Sequence, residues 1–170
     1  MEKQRKGWSR KVMVGIDESE FSYEALIWVL DNLKESFKDN PLVIFATQSL
    51  TNYSCPAGVS SSLGLAHLYC YLSPTIDLIN QNQQQNMKVS LGLLEKSKKI
   101  CARRGVKVKT FTEGGDPKEV ICNAVEEHNI DLLVLGDKSR GIFERALLGS
   151  SLSDYCLSKA KCPVLVVKKA

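Results

Sequence analysis

A chain of 170 residues with 44% hydrophobic and 25% charged side chains is long enough to bury its own core and has the composition of an ordinary soluble globular protein. Its net charge of +4 is modest and gathers at the ends, at Lys3, Arg5, Lys6, Arg10 and Lys11 and again at Lys168 and Lys169. Base-stacking aromatics are not interleaved with these basic residues, which argues against nucleic acid as a partner. Apolar runs fall short of a membrane span and the basic N-terminus lacks the apolar centre of a signal peptide, so no membrane contact and a cytoplasmic location are expected.

The six cysteines show no CxxC pair and no zinc-like spacing with His67 or His128, and in a reducing compartment they read as small core hydrophobes. Residues 1–10 read as a flexible basic N-terminus and 11–170 as a single domain, within which 49–87 is a variable insertion of loop and helix.

Residues 11–17 (KVMVGID) form a short apolar strand ending in a carboxylate. From Phe21 to Phe37, apolar residues recur every three or four positions and predict one amphipathic helix. Residues 42–48 (LVIFATQ) are a second buried strand. The stretch from 49 to about 74 holds Pro56, Gly58, serines 60–62 and Gly64 and reads largely as loop; residues 67–72 fit either a short helix or part of a lid. The polar run 80–86 (NQNQQQN) is compatible with exposed helix or with disorder. Helical period is firm from Val89 to Cys101 and stops at Gly105.

Residues 106–112 alternate apolar and polar, as on a strand near a sheet edge. Asp116-Pro117-Lys118-Glu119 is the clearest helix start, with Asp116 as cap, Pro117 at the first helical position and Glu119 completing a box-like arrangement. The helix it opens buries Val120, Ile121, Ala124 and Val125. A strand over 132–135 is stopped by Gly136, a glycine-bearing loop leads to Gly149-Ser150-Ser151, a helix follows, and 163–167 closes the chain as a last strand. Five strands alternating with helices call for a parallel sheet with helices on both faces, an α/β architecture. Ligands in such sheets sit beyond the carboxyl ends of the strands, where strand order reverses, and Asp17, Thr47 and Gly136 all lie at those ends.

The glycine loop is suited to an anion, because a strand end, a glycine turn and a helix start together present backbone N–H groups. It is not a Walker A loop, since Ile142-Phe143 stands where Lys and Ser/Thr should be. GxGxxG is missing after the first strand, and GxSxG is missing altogether.

The segments VMVGIDESEFSYEAL, GDPKEVICNAV and LLVLGDKSRGIFERALLGSSLSDYCLSKAKCPVLVVKK resemble the universal stress protein family, in particular its plant-type single-domain members. The resemblance covers nearly everything except 49–87. ATP-binding members of that family carry Gly-x-x-Gly, nine residues, then Gly-Ser/Thr; here Gly136, the nine residues 140–148 and Gly149-Ser150 keep the spacing, with Ser139 in place of the second glycine.

The resemblance implies a five-stranded, Rossmann-like fold of the adenine-nucleotide alpha hydrolase type. It implies ATP or AMP as ligand, with Mg2+ accompanying ATP. Gly136, Ser139, Arg140, Gly149, Ser150 and Ser151, in the loop and following helix start, would surround the phosphates. Ile16, Asp17 and Thr47 would hold adenine and ribose, largely through backbone groups, and Leu135 would also line the nucleotide. It further implies a homodimer joined through Val164, Leu165, Val166 and Val167. Asp137 places a negative charge in the phosphate loop, and the second strand ends Ala46-Thr47 where the family often has His-Val.

Two functions are therefore weighed: an adenine-nucleotide-binding regulatory protein of the stress response, and a nucleotide-free dimeric interaction module on the same fold. The resemblance permits slow ATP hydrolysis, but the sequence offers neither paired carboxylates nor a histidine base, so an enzyme is not expected. Asp17 and Ser150 each have a plainer role available as helix caps, and Tyr155 and Cys156 as core residues.

Overall fold

The computed structural model describes residues 10–37, 39–49, 76–137 and 151–168. Its elements, in chain order, are β1 (Val12–Ile16), α1 (Glu20–Asn32), a 3-10 turn (Lys34–Phe37), β2 (Leu42–Ser49), α2 (Ile76–Arg103), β3 (Val108–Gly115), α3 (Pro117–Glu127), β4 (Leu132–Gly136), α4 (Leu152–Lys159) and β5 (Val164–Val167). The five strands are all parallel, in the order β3-β2-β1-β4-β5. This is the expected α/β sheet.

The alternation of side chains along each strand divides the core into two layers. Val12, Val14, Ile16, Leu42, Ile44 and Ala46 pack under α1 and α2, against Leu26, Val29, Leu94 and Cys101. Met13, Val43, Phe45, Leu133 and Leu135 pack under α3 and α4, against Ile121, Ala124, Val125 and Cys156. Strands buried on both faces have to be apolar throughout, and β1 is buried at all five positions. The chain winds outward from β1 in one direction and from β4 in the other, so strand order reverses between them.

Element boundaries differ from expectation at α1 and β3, and of the two alternatives for residues 80–86 helix is the one observed. The periodicity from Phe21 to Phe37 is not one helix: α1 stops at Asn32, whose side-chain amide donates to the Trp28 carbonyl at 2.8 Å, and a 3-10 turn carries Phe37 into the core. The run 80–86 is helical throughout, as part of α2. The strand read at 106–112 is β3, two residues later at its start and three at its end, and it forms a sheet edge as expected.

The ends of α2 and α3 share one device. Val106 N–H donates to Cys101 O and Gly105 N–H to Ala102 O, both at 3.0 Å; Ile130 N–H donates to Val125 O at 2.9 Å and Asn129 N–H to Glu126 O at 3.1 Å. Each is a Schellman closure that needs a positive φ, met by Gly105 at +70° and by Asn129 at 50°. A Cβ at Gly105 would meet nothing within 4 Å, so only the backbone opposes it. Gly105→Ala is therefore expected to cost about 1–2 kcal/mol, the strain of an L-residue in that region, read as a lower urea midpoint with unchanged m-value.

Candidate functional site

The carboxyl ends of the strands frame a crevice of about 510 Å3 at the point where strand order reverses. Register brings the ends together: Ile16 pairs with Ala46, and Val14 with Val134, so the residues next along β1 and β2, Asp17 and Thr47, stand side by side. Ile16, Asp17, Thr47, Leu135, Gly136 and Ser151 all line this crevice. Of the residues singled out from the sequence, Ser139, Arg140, Gly149 and Ser150 lie outside the described residues.

Asp17 follows β1 but does not cap α1. Its Oδ1 accepts from Ser19 N–H at 2.8 Å and from the Ser19 hydroxyl, and Ser19 is the cap, its hydroxyl oxygen accepting from Ser22 N–H at 3.3 Å. An Asx turn thus precedes the helix, and the local side-chain bond moves the cap two residues on. Ser22 is buried, and its hydroxyl accepts from Asp17 N–H at 3.1 Å and lies 3.0 Å from the carbonyls of both Asp17 and Ser19. Thr47 O accepts from the Ser90 hydroxyl at 3.2 Å, tying α2 to the end of β2. The backbone groups of Asp17 and the Thr47 carbonyl therefore already have protein partners.

The starts of α3 and α4 open on the same space. Asp116 caps α3, accepting from Lys118 N–H at 2.9 Å, and Asp116, Pro117 and Lys118 line the crevice. Ser151, not Ser150, caps α4 through a full capping box: its hydroxyl accepts from Asp154 N–H at 3.2 Å and its own N–H donates to Asp154 Oδ2 at 3.3 Å. Ser153 stands 3.0 Å from it, hydroxyl to hydroxyl.

Gly136 has a packing role. A Cβ there would lie 2.3 Å from the Phe21 carbonyl oxygen and 2.8 Å from Ser22 N, so the first turn of α1 rests on the bare end of β4. Asp137 is buried; its N–H donates to Val167 O at 2.8 Å and its carboxylate lies 4.0 Å from Lys168 Nζ, so its charge is partly balanced from the tip of β5.

Tyr155 is half-buried with Lys118 Nζ 5.7 Å from its ring centroid, while Cys156 is fully buried in the core. Burial pushes the Cys156 thiol up to about 12, the neighbouring Cys122 adding to the effect, and burial raises Cys101 to about 11. Both remain protonated packing groups at neutral pH. Cys55 and Cys70 lie outside the described residues.

Sequence reasoning missed Ser22, Ser90, Ser153 and Lys118. Ser90 left a readable signal: with Leu94, Ser97 and Cys101 it falls on the buried stripe of α2, where a serine requires a partner.

A doubly wound parallel α/β protein with an open crevice at its switch point is the class that fold and site define. The sequence matches the Universal stress protein family over residues 9–168, and the chain belongs to that family. It is 36% identical over 87 residues to the Universal stress protein A-like protein of Arabidopsis thaliana, a match spanning 51% of this chain and about half, 49%, of that protein. To Universal stress protein YxiE of Bacillus subtilis it is 25% identical over 158 residues, covering 93% of this chain and 98% of the relative. Among solved structures, a universal stress protein family protein from Arabidopsis thaliana with AMP bound superposes with a TM-score of 0.64 at 25% identity, over 95% of this chain and 92% of that one.

Proposed function

We propose that this protein binds an adenine nucleotide, AMP or ATP, in the crevice between the ends of β1 and β4, and acts in the stress response as a regulatory binding protein. The observation that carries the reading is the crevice: about 510 Å3, within the range of small-ligand sites, with Asp17, Thr47, Gly136 and Ser151 gathered on it from four separate stretches of sequence. The AMP held by the similar Arabidopsis protein supports the choice of ligand.

In this reading Asp17 accepts from the ribose hydroxyls through its carboxylate. Ile16, Thr47 and Leu135 flank the adenine, and Gly136, Ser139, Arg140, Gly149, Ser150 and Ser151 surround the phosphates. Among the described residues no cluster of three His, Cys, Asp or Glu is suited to a metal, so Mg2+ would arrive on the phosphate oxygens of ATP. His128 lies at the far end of α3 from the crevice, stacked on Phe111 with centroids 4.1 Å apart, and His67 lies outside the described residues. Residues 11–170 act as one domain, and the working unit is a cytoplasmic homodimer joined through β5. Among the described residues no helix is long and apolar enough to cross a membrane.

Calorimetric titration with AMP and with ATP, with and without MgCl2, tests the reading, together with mass spectrometry of ligand released from the purified protein. Saturable one-site binding and a released adenine compound are expected. No heat from either nucleotide and no adenine compound released would leave the nucleotide-free interaction module as the better account.

A further inference from the structure

Among the described residues, the charged side chains on the crevice are Asp17, Glu18, Asp116 and Lys118. Three are carboxylates, and each opposes a phosphate brought near it. Lys118 is the one cation among them, and its place is fixed from two directions. Its backbone N–H is held by the Asp116 cap at the start of α3, and its ammonium lies 5.7 Å from the centre of the Tyr155 ring. Tyr155 N–H in turn closes the first turn of α4 on Ser151 O at 3.0 Å. The ammonium therefore sits on the α4 side of the crevice, the side that Ser151, Leu152 and Ser153 line.

We infer that Lys118 is the specificity residue that separates a nucleotide from its nucleoside: its ammonium pairs with the terminal phosphates and offsets the carboxylates that line the crevice. The inference rests on the nucleotide reading above and adds the residue that selects for phosphate. An ammonium is a compact point charge on a flexible stem, suited to phosphate, and its contact with an aromatic face is weak enough to be exchanged for an anion.

The test is calorimetric titration of adenosine, AMP and ATP into the parent, Lys118→Gln and Lys118→Arg, at low and high salt. Removing one charge-assisted contact in a partly solvated site is expected to weaken ATP about tenfold in Lys118→Gln and AMP by less. Adenosine should be unchanged, Lys118→Arg should restore most of the ATP affinity, and Lys118→Gln should show a flatter salt dependence. A role in packing alone would move all three ligands together with the melting temperature. ATP and adenosine weakened equally, or ATP unaffected while the parent binds it, overturns the assignment of Lys118 and leaves the nucleotide reading standing. A parent that binds none of the three ligands overturns both.

Discussion

Gly136→Ala is expected to lower the melting temperature by about 6–12 °C, corresponding to about 3 kcal/mol in a chain of this length. The new methyl would meet the Phe21 carbonyl oxygen at 2.3 Å, the Phe21 carbonyl carbon at 2.4 Å and Ser22 N at 2.8 Å. All three are backbone atoms in the first turn of α1, so no side-chain rotation relieves the clash and the helix start has to move. That movement disturbs the Asp17, Ser19 and Ser22 bonds as well, so weaker AMP binding should accompany the lost stability. Gly15→Ala is the control. Its methyl would meet Leu135 Cδ2 at 2.7 Å and Ile121 Cδ1 at 3.8 Å, both the mobile ends of side chains, and should cost less. Thermal unfolding of the two variants checks the order; equal melting temperatures would mean that α1 slides on the sheet freely and that Gly136 is not a packing requirement.

The family's glycine pattern drew attention to Gly136 as a phosphate residue, while its contact with α1 could not be read from sequence. The difference illustrates what was legible. Apolar runs of strand length, such as 42–48 and 132–135, identify strands buried on both faces, because nothing polar survives there. Asp116-Pro117 marks the start of α3 because cap and fixed φ act within one turn. Those signals are local, and they sufficed for the five strands and their parallel direction, whereas the order β3-β2-β1-β4-β5 is set by the crossovers.

Where local signals compete, the sequence is ambiguous. Asp17, Ser19 and Ser22 can each cap or be capped, and the outcome depends on the Asx turn that Asp17 makes before α1 begins. Ser150 and Ser151 are both good caps; Asp154, three residues after Ser151, selects the second by closing the box. The polar run 80–86 has no apolar period of its own and is helical as part of the 28-residue α2, whose Leu94 and Cys101 dock on the sheet. Lys118 escaped notice because its partner, Tyr155, lies on another helix and only the crossover brings them together.

Val166→Pro is expected to convert the proposed dimer into a monomer with little loss of stability. β5 is an edge of the sheet, and a parallel strand presents the N–H and C=O of alternate residues to opposite sides. Leu133 N–H donates to Pro163 O at 3.0 Å and Asp137 N–H to Val167 O at 2.8 Å, so residues 163, 165 and 167 face β4. Val164 and Val166 then face outward, and among the described residues no strand pairs with that side of β5, where the Val166 N–H would meet a second copy. Proline at 166 removes that donor and places its ring in the approaching strand, while the ladder to β4 keeps its bonds. Leu165→Pro would break the inner ladder instead and should lower the melting temperature. The half-buried side chains of Val164, Leu165 and Val166 are the apolar surface such a pairing would cover. Light scattering should report a single chain's mass for Val166→Pro and twice that for the parent. A variant that keeps the parent's dimeric mass would place the contact between subunits elsewhere.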